Sequence, residues 1–325
     1  MDLPDYTLAD LLRFYGLSRS GWEVLHHSGR SGAKIFRLID AQKRPWILKK
    51  TSIDRDWIMR ATADAHGREQ AVARAWALRE NGVRSAAVGG VREGVNCYTL
   101  MQDVSHYLIR RRRITADEFD AVIDGMAALH AVAPRHALIV PWCPVERRLS
   151  LLSQKGIRIP RGYGKVSLAR DLSHGWSLFF HQAPRRVVET IMSIVKDFRI
   201  LERALAKLPS QLLHGDLKFD NIGLDSSRHM WLIDWAMLMY APSAIELGWF
   251  MAINSKQIDI SLDDVVALYC DRATIGSAIR PRYQALSAIC GLLLRGWRKA
   301  LDADGGEASE MRWWCEQVIE AQRFL

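Results

Sequence analysis

The chain has 325 residues, 49% of them apolar and 25% charged, with 45 Lys and Arg against 36 Asp and Glu, a formal charge of +9. This composition allows a globular protein with a sizeable core, as one large domain or two modest ones. It excludes a disulfide framework or a zinc ribbon, because the five cysteines are odd in number, widely spaced and form no C-x-x-C pair. The longest apolar runs, such as residues 288–294, fall far short of a membrane span. The acidic start, Met1 to Asp5, lacks the apolar stretch of a signal peptide. A reduced, cytoplasmic setting is therefore expected. The basic excess, densest at Arg110 to Arg113, suits an anionic ligand, nucleic acid or simple solubility. No zinc-finger, RNA-recognition or basic-zipper pattern accompanies it, so a nucleic-acid partner is not expected. Nothing in the pattern fixes the oligomeric state.

From the N-terminus, Leu8–Tyr15 reads as a short amphipathic helix and Trp22–Leu25 as a strand. A small-residue turn, His27 to Ala33, leads into a strand over Ile35–Ile39, and a polar turn into another over Trp46–Lys50. Backbone N–H groups of a Gly/Ser loop can cradle phosphate, though a hairpin also needs such a turn for itself. Lys49 and Lys50 end the apolar run and point to opposite faces. His66–Arg79 is rich in helix formers, with Val72, Ala75, Trp76 and Arg79 on helical spacing and Glu69 in its opening turns. Val88–Arg92 and Cys97–Met101 complete a five-stranded antiparallel sheet with one main helix. The polar stretch from Met101 to Ser105 marks a boundary, dividing the chain into residues 1–102 and 103–325.

The second part reads as mostly helical. Thr115 caps a helix running to Ala131. Residues 134–184 show no clear period and read as irregular, and Val187–Leu208 reads as one long helix closed by Pro209. Helices follow over Glu246–Ile253, Leu262–Asp271, Pro281–Leu301 and Glu307–Phe324.

Between these helices lies LHGDLKFDNIGLDSSRHMWLIDW, residues 213–235. Two short apolar segments flank the turn Asp225-Ser226-Ser227-Arg228, which predicts a β-hairpin. Asp216 precedes the first strand and Asp234 ends the second, so Asp216, Asn221 and Asp234 should converge. Two carboxylates and an amide oxygen suit Mg²⁺ and phosphates.

Taken together, the Gly/Ser loop, Lys49, Glu69, His214-Gly215-Asp216 with Asn221, and Asp234 before Trp235 resemble the aminoglycoside phosphotransferase/choline kinase-like family over roughly residues 20–300. Leu129-His130-Ala131 also resembles that family's helix end before its substrate region. The resemblance implies a bilobal α+β, protein-kinase-like fold, with an N-terminal nucleotide-binding lobe and a larger helical lobe for catalysis and substrate. It implies Asp216 as the catalytic carboxylate, Lys218 as a neutraliser of phosphoryl charge, and Asn221 and Asp234 as Mg²⁺ ligands. Lys49, fixed by Glu69, would bind the α- and β-phosphates, with Gly29, Ser31 and Gly32 covering them. Backbone groups at Gln102 and Val104 would meet the purine of ATP or GTP, and His214 would support the loop.

Two features depart from the kinase pattern. The loop at Ser28 to Ala33 is not G-x-G-x-x-G, and Glu246 stands where the family frequently has aspartate. The expected activity is transfer of the γ-phosphoryl group to a hydroxyl of a small molecule, with a catalytically silent nucleotide-binding module as the alternative. A polycationic aminoglycoside calls for an acidic cleft. The basic chain, with a basic and aromatic stretch at 134–184, better suits a neutral, anionic or partly apolar acceptor.

Overall fold

The computed structural model describes residues 6–26, 31–73, 82–110, 112–132, 142–157, 162–163 and 165–325. A five-stranded antiparallel sheet occupies the N-terminal part, built from β1 (Glu23–Leu25), β2 (Lys34–Ile39), β3 (Pro45–Ser52), β5 (Ala87–Glu93) and β6 (Asn96–Gln102) in the order β1-β2-β3-β6-β5. The five expected strands are present with ends shifted by a residue or two. The two-residue alternation of β3 divides its faces. Trp46 and Leu48 pack under α1 (Leu8–Phe14), with Leu8, Leu11 and Leu12, while Lys49 turns to the other face. Thr7 and Asp10 cap α1 reciprocally.

Two elements in this part had no counterpart in the sequence reading. A short helix, α2 (Trp57–Ala61), starts at Asp56, whose carboxylate accepts the N–H groups of Ile58 and Met59 at 2.9 and 3.1 Å. Strand β4 (Val83–Ser85) leaves the main sheet and pairs in parallel with β9 (Met230–Leu232) of the predicted hairpin. The helix expected at 66–79 is present as α3 (Arg68–Val72); residues 74–81 lie outside the described residues.

The hairpin itself forms as read, with β8 (Ile222–Leu224) antiparallel to β9. Asp225 closes its turn by accepting N–H bonds from Ser227 and His229. Just before it, β7 (Ser210–Leu213) pairs with β10 (Met239–Pro242), which follows the second aspartate.

The rest is helical, and the fold is the expected bilobal α+β one. The helices are α4 (Ala116–His130), α5 (Val145–Ser150), α6 (Val166–Gln182), α7 (Arg185–Lys196), α8 (Arg199–Leu205), α9 (Ala244–Asn254), α10 (Leu262–Arg272), α11 (Arg280–Asp304) and α12 (Ala308–Ala321). Thr115 caps α4 in a reciprocal box with Glu118. In the basic run, Arg112 pairs with Glu118 and Arg113 with Asp259, each at 2.5 Å. The long α11 packs against α6, α9 and α12 and forms the centre of the main core.

Two corrections apply here. The stretch read as irregular contains α5 and the 17-residue α6, whose Leu168, Leu172, Trp176 and Phe179 are buried on one face. Burial of four such side chains contributes about 1.5–3 kcal/mol each, enough to fix a helix whose Ser, His and Gly positions weaken its intrinsic propensity. The single helix read over 187–208 is two, α7 and α8, because Asp197 takes an extended conformation between them. Val195, Phe198 and Leu201 keep the apolar period going across the break.

All five cysteines are buried thiols without disulfides, and burial raises the pKa of each, to about 11 for Cys97, Cys143, Cys270 and Cys315 and about 12 for Cys290. Among the described residues no helix is long and apolar enough to cross a membrane.

Candidate active site

The site is assembled from the turn between β7 and β8, the end of β9, and the inner face of the N-terminal sheet. Gly215 has φ of +81°, and a Cβ there would lie 1.9 Å from the Met237 carbonyl oxygen, so glycine alone lets the loop pass this close. The loop then presents Asp216. Lys218 Nζ lies 2.6 Å from Asp216 Oδ2, and Asn221 Nδ2 donates to the same oxygen at 3.1 Å and to the Asp216 carbonyl at 2.9 Å. The Ile233 N–H donates to the Asn221 carbonyl at 3.2 Å, which brings the end of β9 alongside. Asp234 follows in a left-handed conformation, φ 67° and ψ 61°. For a residue with a Cβ this costs about 1–2 kcal/mol, and it is the kind of backbone strain that gathers at functional positions.

From the sheet, Lys49 Nζ sits between two carboxylates, 2.8 Å from Glu69 and 2.7 Å from Asp234. Burial by itself lowers the lysine's pKa, but Asp234 and Glu69 outweigh it and raise it well above the usual value. For Asp234, burial acts upward, yet Lys49 and then Lys218 hold the carboxyl far below the usual range. Glu69 moves the other way: burial, helped by Asp234, raises it more than Lys49 lowers it. Lys49 is thus shared between the two carboxylates at nearly equal distances. Arg68 ties the start of α3 to this region, donating to the Ala236 carbonyl at 3.4 Å.

Glu246 fills the position that departs from the family aspartate. Its carboxylate accepts the N–H groups of Gly215 at 2.6 Å and His214 at 3.0 Å, and bonds His130 Nε2 at 2.9 Å. His130 Nδ1 in turn meets the Tyr269 hydroxyl at 2.7 Å. Burial would raise the Glu246 pKa, but His130, His214 and the Gly215 N–H keep it below its ordinary value. His214 has its pKa lowered by burial. Its Nε2 lies 2.9 Å from the Ile233 carbonyl and its Nδ1 accepts the Asp216 N–H at 3.2 Å. This assigns the proton to Nε2 and gives His214 a bracing place in the loop.

At the glycine loop, residues 27–30, and so Gly29, lie outside the described residues. Ser31 and Gly32 are clamped onto the segment before α2. The Ser31 carbonyl accepts the Trp57 N–H at 3.2 Å, its side chain bonds Asp56, and Gly32, with φ of +116°, has room for no Cβ beside the Arg55 carbonyl, 2.1 Å away. Val104 belongs to a separate apolar cluster with Ala86, Ala87, Met101, Ile47 and Ile233, and Gln102 follows Met101 at the end of β6. The Gln102 N–H is spent on the Ala86 carbonyl at 2.9 Å, and the Val104 carbonyl on the Tyr107 N–H at 2.9 Å.

The donor set fits a divalent cation of the Mg²⁺ type. With Nδ2 of Asn221 turned toward Asp216, its Oδ1 is the remaining acceptor. Asp234 uses Oδ1 on Lys49, and its side chain is 39% exposed. Among the described residues no group of three or more His, Cys, Asp or Glu gathers as a metal site. Two oxygen ligands with the remainder from phosphates and water is how Mg²⁺ is held at nucleotides.

The structure therefore joins Asp216, Lys218 and Asn221 to Lys49, Glu69 and Asp234 in one cluster. Sequence reasoning did not single out Asp56, Arg148 or the apolar wall of Ile47, Ala87 and Ile233. Asp56 had a legible signal as a helix cap; the apolar wall has none beyond ordinary strand residues.

The sequence matches the model described as "Phosphotransferase enzyme family" (APH) over residues 24–285. Among solved structures it is similar to amicoumacin kinase hAmiN in complex with AMP-PNP, Ca²⁺ and Ami, at 10% identity over 98% of this chain and 95% of that one, with a TM-score of 0.52. It is also similar to choline kinase LicA from Streptococcus pneumoniae, at 13% identity over 96% of both chains and a TM-score of 0.50. A third is an aminoglycoside-3'-phosphotransferase of type VIII, at 17% identity over 88% of this chain and 97% of that one, with a TM-score of 0.51. No curated protein matches it in sequence.

Proposed function

Because the chain belongs to the phosphotransferase enzyme family, we propose that it transfers the γ-phosphoryl group of ATP or GTP to a hydroxyl of a small molecule. The observation that carries this reading is the junction just described: Asp216 with Lys218 and Asn221, against Asp234 with Lys49 and Glu69. Residues 1–102 would form the nucleotide lobe and 103–325 the catalytic and acceptor lobe.

Phosphoryl transfer asks for positioning and charge neutralisation rather than covalent help. Lys49 holds the α- and β-phosphates, with Glu69 fixing its direction. Ser31 and Gly32 cover the phosphates from a loop end anchored by Asp56. The apolar cluster of Ile47, Ala87, Met101 and Ile233 receives the purine, with the Val104 N–H and the Gln102 carbonyl at its edge. Asn221 and Asp234 would hold Mg²⁺, which when bound would neutralise phosphate charge. Lys218 occupies Oδ2 of Asp216, leaving Oδ1 to orient the acceptor hydroxyl and take its proton. As the acceptor oxygen bonds the γ-phosphorus, the bond to the bridging β–γ oxygen breaks and the diphosphate leaves. The ordinary pKa of an aspartate, near 4, suffices because the proton departs late in a loose transition state. Glu246 and His214 hold the loop that carries Asp216.

For the acceptor, the net charge of +9 and the cations Lys218 and Arg148 beside Asp216 favour a neutral, anionic or partly apolar alcohol over a polycation. Acceptor-dependent release of nucleoside diphosphate, measured across a panel of aminoglycosides, amino alcohols, sugars and apolar alcohols, tests both statements. Absence of acceptor-dependent release, with nucleotide still bound, would reject phosphotransfer; turnover of aminoglycosides alone would reject the acceptor class.

A further inference from the structure

We infer that Arg148 is a positioning residue that fixes the peptide plane leading into Asp216; this rests on the phosphotransfer reading above. Arg148 lies on α5, in the stretch that showed no sequence period. It is 1% exposed, although its neighbour Arg147 on the same helix is exposed. Its Nε donates to the Gly215 carbonyl at 2.6 Å, and its guanidinium lies 4.6 Å from the centre of the Trp249 ring. The Gly215 carbonyl and the Asp216 N–H belong to one peptide plane. The N–H end of that plane is held by His214 Nδ1 at 3.2 Å. With Arg148 on the oxygen, both ends are fixed. The preceding plane is held by Glu246 on the Gly215 N–H at 2.6 Å. A cation and an anion from two different helices thus grip successive peptides, and the direction of the Asp216 side chain follows.

The energetics single out Arg148 from ordinary packing. Among the described residues, both Nη1 and Nη2 are buried without a hydrogen-bond partner. The ionisable groups facing it are Asp216, Cys143, Glu246 and Cys290, none of them in a direct bond to the guanidinium. A buried cation with unused donors is a cost that an apolar side chain of similar volume would remove. An unsatisfied group of this kind calls for a functional account, and the bond to Gly215 beside the catalytic carboxylate supplies one. It is a stability-for-activity exchange.

The experiment compares wild type with Arg148→Met and Arg148→Lys in the full chain. Four quantities are read: kcat with an accepted hydroxyl substrate, affinity for the nucleoside diphosphate, Tm, and amide hydrogen exchange of the segment 213–221. Positioning predicts that Arg148→Met loses about 10²-fold in kcat, the scale of a small misplacement of a reacting group. Diphosphate affinity stays at the wild-type value, Tm is unchanged or higher, and exchange quickens in segment 213–221 alone. Arg148→Lys, which can still donate to the Gly215 carbonyl, recovers part of kcat and of the protection. Wild-type kcat and exchange in Arg148→Met overturn the inference. So does a fall in Tm and activity together in both variants, which would make Arg148 a framework residue. If the wild type turns over no acceptor, phosphotransfer fails on that arm, while the exchange comparison still decides for or against Arg148.

Discussion

Glu246 bonds Gly215 across the core, its Oε1 accepting the backbone N–H at 2.6 Å one residue before the candidate catalytic aspartate. The other oxygen accepts from His214 and meets His130. A glutamine offers one acceptor oxygen where three donors converge, so Glu246→Gln strands at least one buried donor. It should lower stability by about 2–5 kcal/mol at pH 7, read as a fall in the urea midpoint. The folded pKa of Glu246 is depressed, so its contribution is full above the ordinary value of 4.5 and is lost as pH falls through the lower folded value. Wild type should therefore lose stability relative to the variant below about pH 4.5. Equal midpoints at neutral pH would count against this role for Glu246.

Lys49 serves two acids at once. Lys49→Met should reduce kcat/KM for the nucleotide by about 10²- to 10³-fold, the loss seen when one charge-stabilising donor is removed. Glu69→Gln should be damaging in the wild type and nearly silent in the Lys49→Met background, since Glu69 acts through the lysine. Additive losses in that double-mutant cycle would show that Glu69 acts independently.

Asp216→Asn keeps the shape of the side chain and removes the proton acceptor. A loss of at least about 10²-fold in kcat is expected, with nucleotide affinity held at the wild-type level. Titration calorimetry separates the two; a matching loss of nucleotide affinity would move Asp216 from chemistry to nucleotide binding.

Activity should vanish in EDTA and return with Mg²⁺. The protein without nucleotide should melt at the same temperature either way, because two oxygen ligands without phosphates hold the ion weakly. Asn221→Ala and Asp234→Ala should raise the Mg²⁺ concentration needed for half-maximal rate. An EDTA-induced drop in Tm of the free protein would point instead to a structural ion.

Much of this was legible in the chain because it is local. Asp216, Asn221 and Asp234 are joined by a hairpin whose turn residues announce it, and Lys49 falls on a strand whose alternation is plain. What escaped depends on contacts distant in sequence. The parallel pairing of β4 with β9 links Val83 to Met230, and no local pattern encodes that. The break at Asp197 was hidden because Val195 before it and Phe198 and Leu201 after it are all buried and continue one apolar period. Arg148 sits in the stretch 134–184, which shows no period and reads as irregular; its partner Gly215 is 67 residues away.

The five thiols carry a practical consequence. Each is buried and has its pKa raised to about 11 or 12, so at neutral pH only a trace of reactive thiolate exists in the folded chain. A single cysteine introduced on an exposed position would then be the one site a maleimide dye modifies, with every native residue left in place. The surroundings of that position are then followed by fluorescence in the otherwise unaltered protein, and sudden labelling of the native cysteines would itself report unfolding.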